Sequence, residues 1–465
     1  MIPVLIVLGS LGFLMTIAYR GYSVILFAPV AALGAVMLTD PLLVPPMFSS
    51  LFMDKMVGFI KLYFPVFLLG AVFGKVIELS GFSKSIVGAV IRLCGQERAM
   101  PAIVLVGALL TYGGVSLFVV VFAVYPFAAE MFRQSNIPKR LIPGTIALGA
   151  FTFTMDALPG SPQIQNIIPT TFFKTTTWAA PWLGVVGAVF ILTVGLSYLN
   201  WRRQQAIRAG EGYGEGHSQE PTASVDASQL PSPLIAITPL VLVGVLNKVL
   251  TDRIPVWYGT THSFLPAGAK AELVTDVSKV AAIWAVEGAL LVGILSVFAF
   301  AFRRVCEGFA EGSRAAVAGS LLASMNTASE YGFGAVIAAL PGFLLVASAL
   351  QSISNPLLNE AITVTALAGI TGSASGGMSI ALAAMSDHFL QQASAAGISP
   401  EVLHRVAAMS SGGMDTLPHN GAVITLLTVT RLTHRQAYGD IFAITLVKTC
   451  AVFLVIGFYY LTGIY

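Results

Sequence analysis

The sequence predicts an all-α polytopic membrane protein built from two inverted-topology repeats, each with a re-entrant hairpin and a broken helix. Three observations predict it: the composition, apolar spans interrupted at matching places in two halves, and the placement of basic residues. Of 465 residues, 25 are Lys or Arg and 22 are Asp or Glu, so 10% are charged against 56% apolar. Mean hydropathy is +0.83. A soluble domain carries about 25% charged residues and cannot hide so much apolar surface in its core. A soluble enzyme and a disordered regulator are thereby excluded, and a net charge of +3 is too small to point to nucleic acid. Cys94, Cys306 and Cys450 are an odd set without metal-ligand spacing, so neither a disulfide framework nor a metal site is expected. No cofactor is expected.

A spanning helix needs about 20 mostly apolar residues. In chain order, spans are expected at 2–18, 22–39, 57–80, 142–173, 178–200, 231–250, 278–302, 315–350, 406–430 and 438–464. The first run lacks the basic segment of a signal peptide and is expected to be retained. Regions 99–132 and 359–391 carry Gly-rich centres and read as re-entrant hairpins. The long runs 142–173 and 315–350 are interrupted by polar or Pro/Gly-rich residues, the second at Asn326–Gly332. Residues 201–230 are polar, Gly-rich and charged, the composition of an aqueous linker.

That linker divides the chain into repeats over 1–200 and 231–465. Met155-Asp156-Ala157-Leu158-Pro159 matches Met414-Asp415-Thr416-Leu417-Pro418 at an offset of 259, and Gly113-Gly114-Val115-Ser116 matches Gly376-Gly377-Met378-Ser379 at an offset of 263. Matches in one order at nearly one offset mark duplication. Basic clusters fall around Arg20, Arg92, Arg133, Arg202, Arg303 and Arg431. Placing all of them in the cytoplasm makes the linker cytoplasmic, both termini periplasmic and the two hairpins open to opposite sides. Lys55 and Lys61 then lie outside, against the trend. Inverted repeats with paired broken helices are the pattern of a secondary transporter.

Interrupted backbone survives in hydrocarbon only where protein or a watery cavity receives its free polar groups. Four such breaks are expected to meet: the hairpin tips 111–116 and 371–379, and the broken crossings 156–166 and 415–421. Glycines there permit close approach, and half-helix N-termini favour an anion. No Arg or Lys lies in any break, so the expected ligand is a small, hydroxylated carboxylate held by backbone, hydroxyl and amide groups. The candidate substrate residues are Gly113, Gly114, Ser116, Asn166, Asn326, Thr327, Ser373, Ser375, Gly376, His419 and Asn420. Small residues also serve plain helix packing in membranes, which is the alternative at each tip. Asp415, Asp156 and Glu330 are candidates to couple a proton or cation, since intramembrane carboxylates are costly; caps for the following half-helices are the alternative for the two aspartates. Lys75 and Glu78 read as an i, i+3 surface pair, and Glu287 and Lys448 as groups whose partners the sequence leaves open. No HExxH, CxxC or GxGxxG motif suggests an enzyme. A channel or a proton-pumping subunit fits less well, because polarity is concentrated in four breaks.

At these breaks the sequence resembles the gluconate permease family of bacterial inner-membrane transporters, within the ion transporter superfamily. The resembling blocks are GGVSLFVVVFAVYPFAAEMFR, IPKRLIPGTIALGAFTFTMDALPGSPQIQN, NTASEYGFGAVIA, GSASGGMSIAL and MDTLPHNGAVIT. The chain looks most like the D-β-hydroxybutyrate permease members. The resemblance implies a scaffold domain and a transport domain, a homodimer through the scaffold, an elevator-like motion of the transport domain, and uptake of a small hydroxy-monocarboxylate such as 3-hydroxybutyrate, or alternatively gluconate, with protons. Dicarboxylate branches carry Ser-Asn-Thr at both tips and use sodium; the tips here differ, which argues against that sodium site.

Overall fold

The computed structural model describes residues 2–20, 22–95, 98–214, 230–268, 271–345, 353–418 and 420–465. Helices dominate. Helices α1 (Ile2–Tyr19) and α2 (Val24–Thr39) pack through small residues, and the Ser10 hydroxyl donates to the Ala31 carbonyl at 2.8 Å. Such small faces let membrane helices approach closely. Helical turns over 41–52, opened by the Asp40 carboxylate accepting from Leu42 N at 3.0 Å, lead into α3 (Met53–Leu79). Near its end, Lys75 and Glu78 form the expected surface pair at 2.8 Å.

After α4 (Phe82–Cys94), the first hairpin contains α5 (Ala99–Tyr112) and α6 (Leu117–Gln134). The first broken crossing contains α7 (Ile142–Ala150), the single turn α8 (Phe153–Asp156) and α9 (Ile164–Phe173). Then follow α10 (Pro181–Arg208) and α11 (Pro233–Tyr258). Helix α12 (Val277–Ala338) reverses at Ala301, whose backbone leaves helical geometry (φ −137, ψ 32). Both of its arms lie along α3: Gly293 meets Phe73, Gly312 meets Lys75 and Gly332 meets Phe52. The second hairpin contains α13 (Pro356–Thr371) and α14 (Ala374–Ala395). The second broken crossing contains α15 (Pro400–Gly412), a 3-10 turn (Gly413–Thr416) and α16 (Gly421–Thr430), and α17 (His434–Thr462) ends the fold. Among the described residues, five elements are long and apolar enough to cross a membrane: Pro41–Leu79, Pro181–Arg208, Pro233–Tyr258, Val277–Ala338 and His434–Thr462.

Three expectations need correction. The fold is not wholly α-helical: an antiparallel pair, β1 (Thr261–Phe264) and β2 (Leu273–Asp276), joins Thr261 to Asp276 and Phe264 to Leu273. Its β-branched and aromatic residues suit a strand. The polar run Asn326–Gly332 does not interrupt α12. The Thr327 hydroxyl turns back onto the helix, donating to the Ala323 carbonyl at 3.2 Å, and the backbone stays helical through the run. The start of the expected linker 201–230 is helical, and its residues 215–229 lie outside the described residues. Residues 201–208 continue α10, where Arg208 complements the negative end of the helix. The irregular segment after it is tied down: Tyr213 N donates to Asn136 Oδ1 at 3.1 Å and Lys139 N donates to the Tyr213 carbonyl at 3.3 Å.

Candidate functional site

Both Asp-x-Leu-Pro segments leave the helix where proline removes a backbone donor. Asp156 ends α8 and Asp415 sits in the 3-10 turn Gly413–Thr416. Asp415 is the node of the site. Its Oδ2 accepts from Gln165 Nε2 at 2.7 Å, and its Oδ1 accepts from Ala374 N at 3.1 Å and from Asn420 Nδ2 at 3.3 Å. Asn420 also donates to the Gly372 carbonyl at 3.0 Å and caps α16 by accepting from Ala422 N at 2.7 Å. One carboxylate thus joins α9, the second broken crossing and the tip of the second hairpin.

Beside that node lies a second group. Ser373 caps α14 by accepting from Gly376 N at 3.1 Å. The Ser375 hydroxyl lies 3.3 Å from that of Thr327 and 3.5 Å from that of Ser373. Glu330, 4% exposed, points its carboxylate at the glycine turn: a Cβ on Gly376 would overlap Glu330 Oε2. That oxygen has no hydrogen-bond partner among the described residues, and neither has Gln165 Oε1. Unfilled buried acceptors are rare and call for a ligand or a proton.

Asp156 is placed differently. Lys448 Nζ lies 2.5 Å from its Oδ2, a charge contact without the alignment of a hydrogen bond, and both residues are buried. Lys448 also donates to the Phe151 carbonyl at 3.1 Å. The partner of Lys448 is therefore Asp156 and not Glu287.

Asn166 is engaged throughout. Its amide donates to the Ser161 and Thr177 carbonyls, both at 2.9 Å, and its Oδ1 meets Arg405 Nη1 at 3.0 Å and His404 Nε2 at 3.2 Å. No hydrogen-bonding position is left for a ligand. Arg405, fully buried, was missed by the sequence reading. It donates to the carbonyls of Asp156 at 2.7 Å and Ala179 at 2.7 and 3.2 Å, closing the carbonyls that the first break frees. No break contains a basic residue, yet one reaches in from α15. Gln165 was also missed; its position within the break was the available signal.

The tip of the first hairpin faces elsewhere. Gly113 lies against Leu240, and Gly114 (φ +94) lies against Leu290, Pro162 and Phe73. This is the close packing that small residues permit. Gln163 ties the tip to the first break by donating to the Thr111 carbonyl at 2.7 Å, and the Tyr112 hydroxyl donates to the Pro159 carbonyl at 2.8 Å. Ser116 precedes α6 without a side-chain cap bond, Asn326 is half-buried on α12, and His419 lies outside the described residues. A separate cavity of about 360 Å3 is lined by Ser50, Asp54, Lys55, Phe59, Thr171 and Tyr331 among others. Its floor is Tyr331, one residue from Glu330, with ring centroids 5.7 Å from Phe59 and 6.4 Å from Phe172.

No family model matches the chain. Among solved structures it is similar to the YdaH transporter of Alcanivorax borkumensis, described as having an unusual topology, with a TM-score of 0.47 and 15% identity, covering 99% of this chain and 98% of that one. It is 61% identical over 468 residues to a protein of Bacillus subtilis (strain 168) described as "Uncharacterized transporter YxjC", covering 99% of both chains. The chain belongs to the YxjC family: it is a multi-pass membrane transporter and not an enzyme.

Proposed function

We propose that this transporter imports short hydroxy-monocarboxylates, 3-hydroxybutyrate before gluconate, by cation symport with protons. On this reading it is a bacterial inner-membrane homodimer of two inverted repeats with cytoplasmic linker and periplasmic termini, and its transport domain moves as an elevator. The resemblance to the gluconate permease family supplies the substrate class and the motion. The observation that carries the reading is the gathering of Thr327, Glu330, Ser373, Ser375, Asp415 and Asn420 at the start of α14, with two buried acceptors unfilled. Hydroxyls and backbone N–H groups suit a carboxylate; unfilled acceptors suit a substrate hydroxyl or a proton. His419 belongs to the proposal on sequence grounds alone.

Coupling falls to Asp415, beside which Glu330 offers the substrate hydroxyl an acceptor. Asp156 has its charge met by Lys448, which gives it a structural part. Sodium remains the competing cation. Accumulation requires that the cation change the substrate's affinity differently in the two orientations. The deciding experiment is uptake into proteoliposomes of labelled 3-hydroxybutyrate, gluconate and lactate under separately imposed proton and sodium gradients. Saturable, proton-driven uptake of 3-hydroxybutyrate is expected. Uptake of none of the three, or uptake indifferent to both gradients, overturns the reading. Replacing Ser375 by Leu should abolish uptake while membrane insertion persists.

A further inference from the structure

We infer that the resting transporter fills its own anion site: the Asp415 carboxylate occupies the place that a substrate carboxylate takes, and binding a proton is what makes Asp415 give it up. This rests on the carboxylate-import reading above.

Helix α14 runs for 22 residues from Ala374. The first N–H groups of such a helix have no acceptor within it, and its N-terminus favours negative charge. Two of these donors are taken here. The Gly376 N–H goes to the Ser373 hydroxyl, an ordinary local cap. The Ala374 N–H goes to Asp415 Oδ1, a carboxylate 41 residues further along the chain and on another element. A distant carboxylate delivered to a helix N-terminus stands where a carboxylate ligand would stand.

The surroundings are independent of that helix end and also point to a ligand. Gln165 and Glu330 are each only 4% exposed. Gln165 Nε2 holds Asp415, while Gln165 Oε1 has no partner among the described residues. Glu330 Oε2, also unpartnered, lies against Gly376 in the first turn of α14. Donors at this place are filled by a carboxylate and acceptors are open. A ligand that brings one carboxylate and one hydroxyl, a hydroxy-monocarboxylate, fits both conditions. Its carboxylate takes the Ala374 N–H and its hydroxyl donates to Glu330 Oε2.

Two carboxylates cannot share the Ala374 donor, because like charges in contact repel. One proton removes the conflict. Bound to an Asp415 oxygen, it gives the carboxyl an O–H, which donates to Gln165 Oε1 once that amide turns over. The Ala374 N–H then faces a neutral carboxyl oxygen, and the substrate carboxylate, the stronger acceptor, displaces it. No bond in the substrate is made or broken. One negative charge leaves the helix end as one arrives. The charged groups facing Asp415, namely Lys448 from α17, Asp156 from α8 and Glu330 from α12, see the same net charge before and after. Proton and substrate therefore bind together, and by linkage each strengthens the other equally.

The test is binding of 3-hydroxybutyrate and gluconate to the purified full-length protein in weakly buffered detergent solution with a pH indicator. The wild type should take up one proton per substrate bound, with affinity falling about tenfold per pH unit on the alkaline side. Asp415→Asn should bind without proton uptake and catalyse substrate exchange in proteoliposomes, yet fail to accumulate substrate under a proton gradient. Glu330→Gln should keep the proton uptake and weaken binding. If Asp415→Asn still takes up a proton or still accumulates substrate, the inference fails while the substrate reading stands. Should that variant not fold, wild-type binding without proton uptake also overturns it. A wild type that binds neither acid overturns the substrate reading and this inference together.

Discussion

Lys448 and Asp156 form an ion pair at 2.5 Å, with side chains 1% and 0% exposed, joining α17 to the end of α8. The pair spans the chain from the first broken crossing to the last helix. Removing one member of a buried pair leaves an uncompensated charge, at a cost of about 3–5 kcal/mol, whereas replacing both with apolar or neutral groups is often nearly neutral. Lys448→Met and Asp156→Asn should each lower the thermal midpoint in detergent markedly, and the double variant should recover most of the loss. Additive losses in the double variant would show that the two groups act separately.

Gly412 bears directly on that pair. A side-chain carbon there would overlap both the Asp156 carboxylate and the Lys448 ammonium. Gly412→Ala should therefore destabilise about as much as breaking the pair, because neither partner can move without losing its charge. Gly421, at the start of α16, has nothing near its missing side chain, so Gly421→Ala should leave stability within about 0.5 kcal/mol of wild type and the midpoint nearly unmoved. Thermal melts of the two alanine variants, side by side, check the contrast.

What could be read from the chain and what could not divide along a physical line. The breaks were legible because proline and glycine act on their own backbone: Leu158-Pro159 and Leu417-Pro418 end helices wherever they are packed. The chain position of Arg405 was equally visible, but its task was not. Its acceptors are the carbonyls of Asp156, Thr177 and Ala179, more than 220 residues away in sequence. Partners at that separation leave no local pattern. The run Asn326–Gly332 misled for the opposite reason. Its polarity reads as a break, yet Thr and Ser in a membrane helix can satisfy themselves on the preceding turn. The first hairpin tip shows the same ambiguity, since a Gly-Gly pair looks alike whether it receives a ligand or the side chain of Leu240.

A charged cluster at the expected cytoplasmic edge has its own pH dependence. Asp440 accepts from Arg202 Nε at 2.6 Å, Tyr198 at 2.8 Å and Arg140 Nη1 at 3.2 Å, while Arg140 also pairs with both oxygens of Glu211 at 2.7 and 2.8 Å. Its hydrogen bonds from Arg140 hold the Glu211 carboxyl below the usual range. A group depressed in the folded state contributes above its unfolded pKa and loses that contribution as pH falls through the folded value. The attachment of residues 209–214 should hold at pH 7 and loosen under acid conditions below about pH 4.5. Glu211→Gln should remove the pH dependence and leave the segment equally loose at both pH values. Hydrogen exchange of the Tyr213 amide at pH 7 and pH 4, corrected for intrinsic rates, reads this directly.

The sidedness of the molecule is open to a chemical test at the cavity floored by Tyr331. Lys55 lines it and makes no ion pair among the described residues. Lys55 and Lys61 are among the cations that run against the cytoplasmic bias of Lys and Arg, with Lys174, Lys248 and Arg253, a bias that counts loop residues near span ends. Ser50 lines the same cavity and is exposed, as is Ala209 at the end of α10; the proposed topology puts the two on opposite faces of the membrane. In a background without Cys94, Cys306 and Cys450, a membrane-impermeant maleimide applied to intact cells should label Ser50→Cys and leave Ala209→Cys untouched until the membrane is opened. The reverse pattern would turn the whole topology over, and labelling of both from outside would place the two sites on one face.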